Sequence, residues 1–121
     1  MKITIPEFCL VALIGASGSG KSTFTRRHFM PTEVISSDYC RGIVSDDETD
    51  FDAAEDAFRL VHAIAETRLK RRKIVVVDAT NVHKEDRAKL VNLAKANHAL
   101  AVAIIINPGE EICHERNKRR A

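Results

Sequence analysis

An unbroken apolar run, Phe8 to Ile14, leads directly into Gly15-Ala16-Ser17-Gly18-Ser19-Gly20-Lys21-Ser22-Thr23. Such a run leaves no polar face for water. It reads as a strand buried on both sides, which a parallel sheet achieves by laying helices over each face. Parallel strands need long crossovers, so the rest of the chain must alternate helices with further strands.

The sequence supplies that alternation. Residues 21–30 read as a helix that stops before Pro31. Val34-Ile35 reads as a second strand, placed beside the first. Phe51, Ala54, Phe58, Val61, Ala65 and Leu69 recur every three or four residues, which predicts a helix over 51–72. Ile74 to Val77 is a third strand. Leu90, Leu93 and Ala94 share one face of a helix over 84–96, and Leu100 to Ile106 is a fourth strand. Asn107 fits an N-cap and Pro108 the first position of a last helix, with Glu110 and Glu111 in its first turn. The expected class is α/β, a parallel sheet flanked by helices, in one domain over 1–121. Such sheets bind ligands at the carboxyl ends of their strands.

Composition agrees and narrows the partners. The chain has 121 residues, 45% of them hydrophobic, which suffices for one core and not for two. No apolar run is long enough to span a bilayer, and the N-terminus carries no secretory pattern. Cys9, Cys40 and Cys113 are odd in number and far apart, which reads as free thiols in a reducing compartment. A cytoplasmic location is the expectation, with no membrane partner. The net charge of +2 hides a split. Asp46, Asp47, Glu48, Asp50, Asp52, Glu55 and Asp56 fall in a stretch without a base, leaving about +9 on the remainder. The five histidines, His28, His62, His83, His98 and His114, show no metal-ligand spacing.

The glycine-rich turn matches the P-loop spacing. Its glycines let backbone N–H groups of Gly15, Ser17, Gly18, Ser19 and Gly20 close around a polyphosphate, and the following helix adds its positive end. Lys21 supplies a charge for the β- and γ-phosphates. Ser22 offers Mg²⁺ a hydroxyl, and Thr23 extends the cradle. The third strand ends at Asp78, placed to hold Mg²⁺ directly or through water. The same acid also suits a turn or helix cap, and Asn81 can cap the next helix.

A P-loop implies ATP or GTP. The chain has no Asn-Lys-x-Asp base reader and no room for motor subdomains, so a small phosphotransferase fits best. Ser36-Ser37-Asp38-Tyr39-Cys40-Arg41 follows the second strand. Asp38 and Arg41 can both face the γ-phosphate, Asp38 to deprotonate an acceptor hydroxyl and Arg41 to hold a phosphate in its planar fork. The alternative is a solvated turn with a local ion pair. Arg116 and Arg120 lie at i and i+4, on one face of a helix. They suit a lid over ATP phosphates or an ordinary basic surface.

Taken together, Gly15–Thr23, Asp38–Arg41, Asp78–Asn81 and Arg116–Arg120 make the chain resemble the polynucleotide 5′-kinases. More narrowly, it is similar to the N-terminal kinase module of bacterial polynucleotide kinase–phosphatases, enzymes of RNA end healing and sealing. Ile3-Thr4-Ile5-Pro6-Glu7, Pro31 to Asp38, Cys40-Arg41-Gly42, Val44 to Glu48 and Val76 to Val82 carry the resemblance along nearly the whole chain. It implies a P-loop kinase fold, ATP and Mg²⁺ as cofactors, and a 5′-hydroxyl RNA or DNA end as acceptor. It implies Lys21 and Ser22 as phosphate and metal contacts, and Asp38 as general base. Arg41 would bind an acceptor-strand phosphate, and Arg116 and Arg120 would be lid arginines. The family's lid runs on beyond the segment matching Ala121, toward a last strand and then phosphatase and ligase domains on the same chain. Two rival expectations remain: a small-metabolite P-loop kinase, and a nucleotide-binding module without catalysis.

Overall fold

The computed structural model describes residues 4–15, 20–79 and 84–106. Strands β1 (Cys9–Ile14), β2 (Val34–Ser36), β3 (Val75–Asp78) and β4 (Leu100–Ile105) form one parallel sheet in the order β2-β3-β1-β4. Register is set tip to tip. Leu13 on β1 lies opposite Asp78 on β3, and Ser36 on β2 lies on Asp78's other side. Helices α1 (Lys21–His28), α2 (Ser37–Ser45), α3 (Ala54–Lys70) and α4 (Lys84–Ala96) alternate with the strands, and short 3-10 turns occupy Pro31–Glu33 and Phe51–Ala53.

Period-two alternation sorts the strand side chains into two cores. On one face Leu10, Ile35, Val75 and Val77 meet Cys40 of α2, Val61, Ala65 and Leu69 of α3, and Leu90, Leu93 and Ala94 of α4. On the other face Cys9, Val11, Leu13, Val76 and Ile104 meet Phe24 of α1 and Ile106. Both faces of β1 and β3 are therefore dry, as the apolar run demanded. Each fully buried Val or Leu contributes about 1.5–3 kcal/mol before ordering costs. Among the described residues no helix is long and apolar enough to cross a membrane.

Several expectations need correction. β2 does not lie beside β1, because β3 sits between them. Local pattern identifies a strand but carries no information on its neighbour. The third helix begins at Ala54 and ends at Lys70, not over 51–72. Phe51 and Ala54 are exposed, and the buried stripe runs through Ala57, Val61, Ala65 and Leu69. The third strand is Val75–Asp78, so it starts one residue after Ile74, while Asp78 ends it as expected. The segment after β2, for which a solvated turn is the alternative expectation, is a helix. Ser36 caps it by accepting from the Tyr39 N–H at 3.2 Å, and Asp46 closes it in the left-handed region at φ 63°.

Part of the basic run Lys70 to Lys73 is structural. The Arg72 guanidinium lies 4.1 Å from the Phe8 ring centroid, and its Nη1 donates to the Asn97 carbonyl.

Candidate active site

β1, β3 and β2 end side by side. Gly15 follows β1, Asp78 closes β3, and Ser36 at the end of β2 starts α2. The sheet thus delivers the start of α1, Asp78 and the first turn of α2 to one edge.

Gly20 caps the start of α1 with φ at +99°. A Cβ there would meet nothing nearer than the Ile106 Cγ2 at 4.0 Å, so the backbone angle, not space, requires glycine. A Gly20→Ala variant is expected to lose about 1–2 kcal/mol through the left-handed penalty, read as a lowered Tm in calorimetry, together with weaker nucleotide binding.

Lys21 is the first residue of α1, and its Nζ donates to the Gly15 carbonyl. The same Nζ stands 4.0 Å from the Asp78 Oδ1, with both side chains nearly covered, at 12% and 13% exposure. That separation is Coulombic attraction rather than a hydrogen bond. Burial pushes the Asp78 carboxyl above its usual range; Lys21 pulls it back and Asp38 pushes it further up. Two carboxylates and one cation therefore share a field at the strand tips. Ser22 and Thr23 are exposed on the first turn of α1, and Thr25 braces that turn by donating to the Ser22 carbonyl at 3.0 Å.

Asp38 lies in the first turn of α2 and Arg41 one turn on. They form a direct ion pair between Asp38 Oδ1 and Arg41 Nη2. The local-pair expectation holds, on a helix rather than in a turn. Asp38 remains 56% exposed while Arg41 is only 14% exposed. Arg41 is covered because Nε donates to the Glu48 carbonyl at 2.8 Å and the guanidinium lies 5.1 Å from the Phe51 ring centroid. Sequence reasoning missed Glu48 and Phe51. The available signal was an aromatic set in an acidic stretch, which reads as core when only type and spacing are used.

Ser17, Gly18, Ser19, Thr80, Asn81, the helix expected after Asn107, Cys113, Arg116 and Arg120 lie outside the described residues. Cys9 and Cys40 are buried free thiols, and burial pushes the Cys9 thiol up to about 11, so it is not a reactive thiolate.

Mg²⁺ takes hard oxygen ligands and is typically held by one or two protein groups plus phosphates and water. A covered carboxylate on Asp78 with an exposed hydroxyl on Ser22 fits that need. Among the described residues no three His, Cys, Asp or Glu side chains gather as a fuller metal cage.

The fold recurs in solved structures. A Pnkp1/Rnl/Hen1 complex matches with a TM-score of 0.68 and 27% identity, over 99% of this chain and 41% of that one. A second structure of that RNA repair complex matches at TM-score 0.67 and 27% identity, over 96% and 39%. The chain thus spans about two fifths of the length of the Pnkp1/Rnl/Hen1 chains it matches. The APS kinase CysC of Mycobacterium tuberculosis, in complex with AMPPNP and APS, matches at TM-score 0.62 and 20% identity, over 96% of this chain and 69% of that one. No curated protein matches the chain. A family model described as AAA domain matches residues 10–121. Parallel strand order, glycine-rich turn and matched family agree: the chain belongs to the AAA domain family and has the α/β P-loop kinase fold.

Proposed function

We propose that this domain transfers the γ-phosphoryl group of ATP to the 5′-hydroxyl end of a polynucleotide, RNA above all, in nucleic acid repair in the cytoplasm. The observation that carries the reading is the Asp38–Arg41 pair on α2, at the same sheet edge as Lys21 and Asp78. The 27% identity to a chain of an RNA repair complex supports it.

Lys21 binds the β- and γ-phosphates as a point charge, exchanging its Gly15 carbonyl for phosphate oxygens. Gly15 and Ser17 to Thr23 surround the phosphates. Ser22 and Asp78 would hold Mg²⁺, which would supply charge neutralisation on the phosphate oxygens. Asp38 is the exposed partner of its pair, so it can orient the 5′-hydroxyl and take its proton. Arg41 holds a phosphate of the acceptor strand, where a planar fork serves better than an ammonium. Arg116 and Arg120 are assigned, on the family resemblance, as the lid arginines that touch the ATP phosphates. Phosphatase and ligase domains are the expected partners on the same polypeptide.

The test supplies γ-labelled ATP with 5′-hydroxyl oligoribonucleotides, oligodeoxyribonucleotides, and a panel of sugars and nucleosides. Label is expected on the oligonucleotide 5′ ends. Label confined to the small molecules would overturn the reading in favour of a metabolite kinase.

A further inference from the structure

Phe51 is the most exposed large apolar side chain among the described residues, at 73%, and it belongs to neither core. Leaving a phenyl ring in water forfeits its burial energy, so something other than packing accounts for its place. Its described contact is the Arg41 guanidinium, 5.1 Å from the ring centroid. Arg41 is held from two more directions, by the Glu48 carbonyl on Nε and by Asp38 on Nη2. The loop that carries these partners is itself fixed. Asp47 Oδ1 accepts from the Thr49 N–H at 2.9 Å and from its hydroxyl at 2.7 Å, and Asp50 accepts from the Asp52 N–H. Gly42 lets the loop close on α2, because a Cβ there would stand 3.0 Å from the Glu48 Cγ.

We infer that Phe51 and the Glu48 carbonyl are positioning groups that aim Arg41 at the acceptor phosphate, an inference resting on the acceptor role proposed above for Arg41. An unheld arginine carries substantial rotamer entropy, which must be lost on each binding event. Three partners on different sides remove that freedom beforehand. Among the described residues Nη1 has no partner, which leaves one edge of the fork for a phosphate. The acids of the loop then have a role that does not conflict with a polyanionic acceptor. They shape the backbone that orients Arg41, and the phosphate meets the guanidinium and not the carboxylates.

The experiment uses the full chain with Phe51→Ala and Phe51→Trp, a 5′-hydroxyl dinucleotide as acceptor, and ATP. In Phe51→Ala the acceptor KM is expected to rise about two- to fivefold, the worth of one cation–π contact, with the KM for ATP and kcat unchanged. Phe51→Trp, the stronger cation–π partner, should restore the acceptor KM. An unmoved acceptor KM, or an equal rise in the KM for ATP, overturns the inference. The Arg41 Nε–H resonance gives a readout independent of turnover. It should shift in Phe51→Ala as the ring current is lost, and an unchanged resonance would sink the clamp by itself. Wild-type protein that phosphorylates no 5′-hydroxyl end would instead bring down the acceptor reading, and with it the phosphate that Arg41 is aimed at.

Discussion

Asp38→Asn is expected to lower transfer to a 5′-hydroxyl end by roughly 10²–10⁴-fold, the usual worth of a positioned general base. ATP affinity should stay at the wild-type value, since Asp38 sits on α2 and the phosphate contacts proposed above lie on α1 and in the glycine-rich sequence before it. The choice of Asn matters. Its carbonyl can still accept from Arg41 Nη2, so the ion pair becomes a hydrogen bond and the arginine keeps its orientation. What is lost is the ability to take a proton. Single-turnover transfer and equilibrium ATP binding, measured on the same preparation, separate the two effects. A variant that turns over at the wild-type rate would mean that Asp38 serves only as Arg41's counter-ion.

Lys21→Ala should have an effect of comparable size by a different route. It removes the cation at the start of α1, and loss of one preorganised electrostatic partner costs about 10²–10³-fold in kcat. ATP should also bind less tightly, which distinguishes this variant from Asp38→Asn. A second consequence can be read without turnover. Lys21 is the group that pulls the Asp78 carboxyl down, while burial and Asp38 push it up. Without Lys21 only the upward influences remain, so Asp78 should titrate at a higher pH than in the wild type. A smaller fraction is then ionised on the acid side, and metal binding should weaken there first. Carboxylate ¹³C shifts followed against pH would check this. An unchanged Asp78 titration would mean that the 4.0 Å pair does not hold in solution.

The parts of the fold that were legible in the sequence are those whose physics is local. β1 and its turn are announced by an apolar run ending in glycines, and α4 by Leu90, Leu93 and Ala94, all of which are buried as expected. α2 was missed because Ser36-Ser37-Asp38 and Gly42 are turn formers by type, and the helix is only nine residues long. The Ser36 cap was its available signal. Strand order was misread because β2 is defined by pairing with β3, a contact that no local period encodes. Phe51 was misread because hydrophobic type predicts core, while its place follows from Arg41, ten positions away. The site followed the same division. Lys21 opens the helix after β1 and Asp78 ends β3, so the pairing of those two strands brings them together. The mutual grip of Asp38, Arg41, Glu48 and Phe51 depends on how a loop folds back on a helix.

The insertion of β3 between β1 and β2 has a metric consequence. Neighbouring strands run about 4.8 Å apart, so the tips of β1 and β2 are separated by roughly 9.6 Å. Were β2 adjacent to β1, the two tips would be one spacing apart, with no strand between them to carry Asp78. The central strand therefore acts as a spacer, and the pairing that holds it in register with both neighbours sets Asp78 between the tips of β1 and β2.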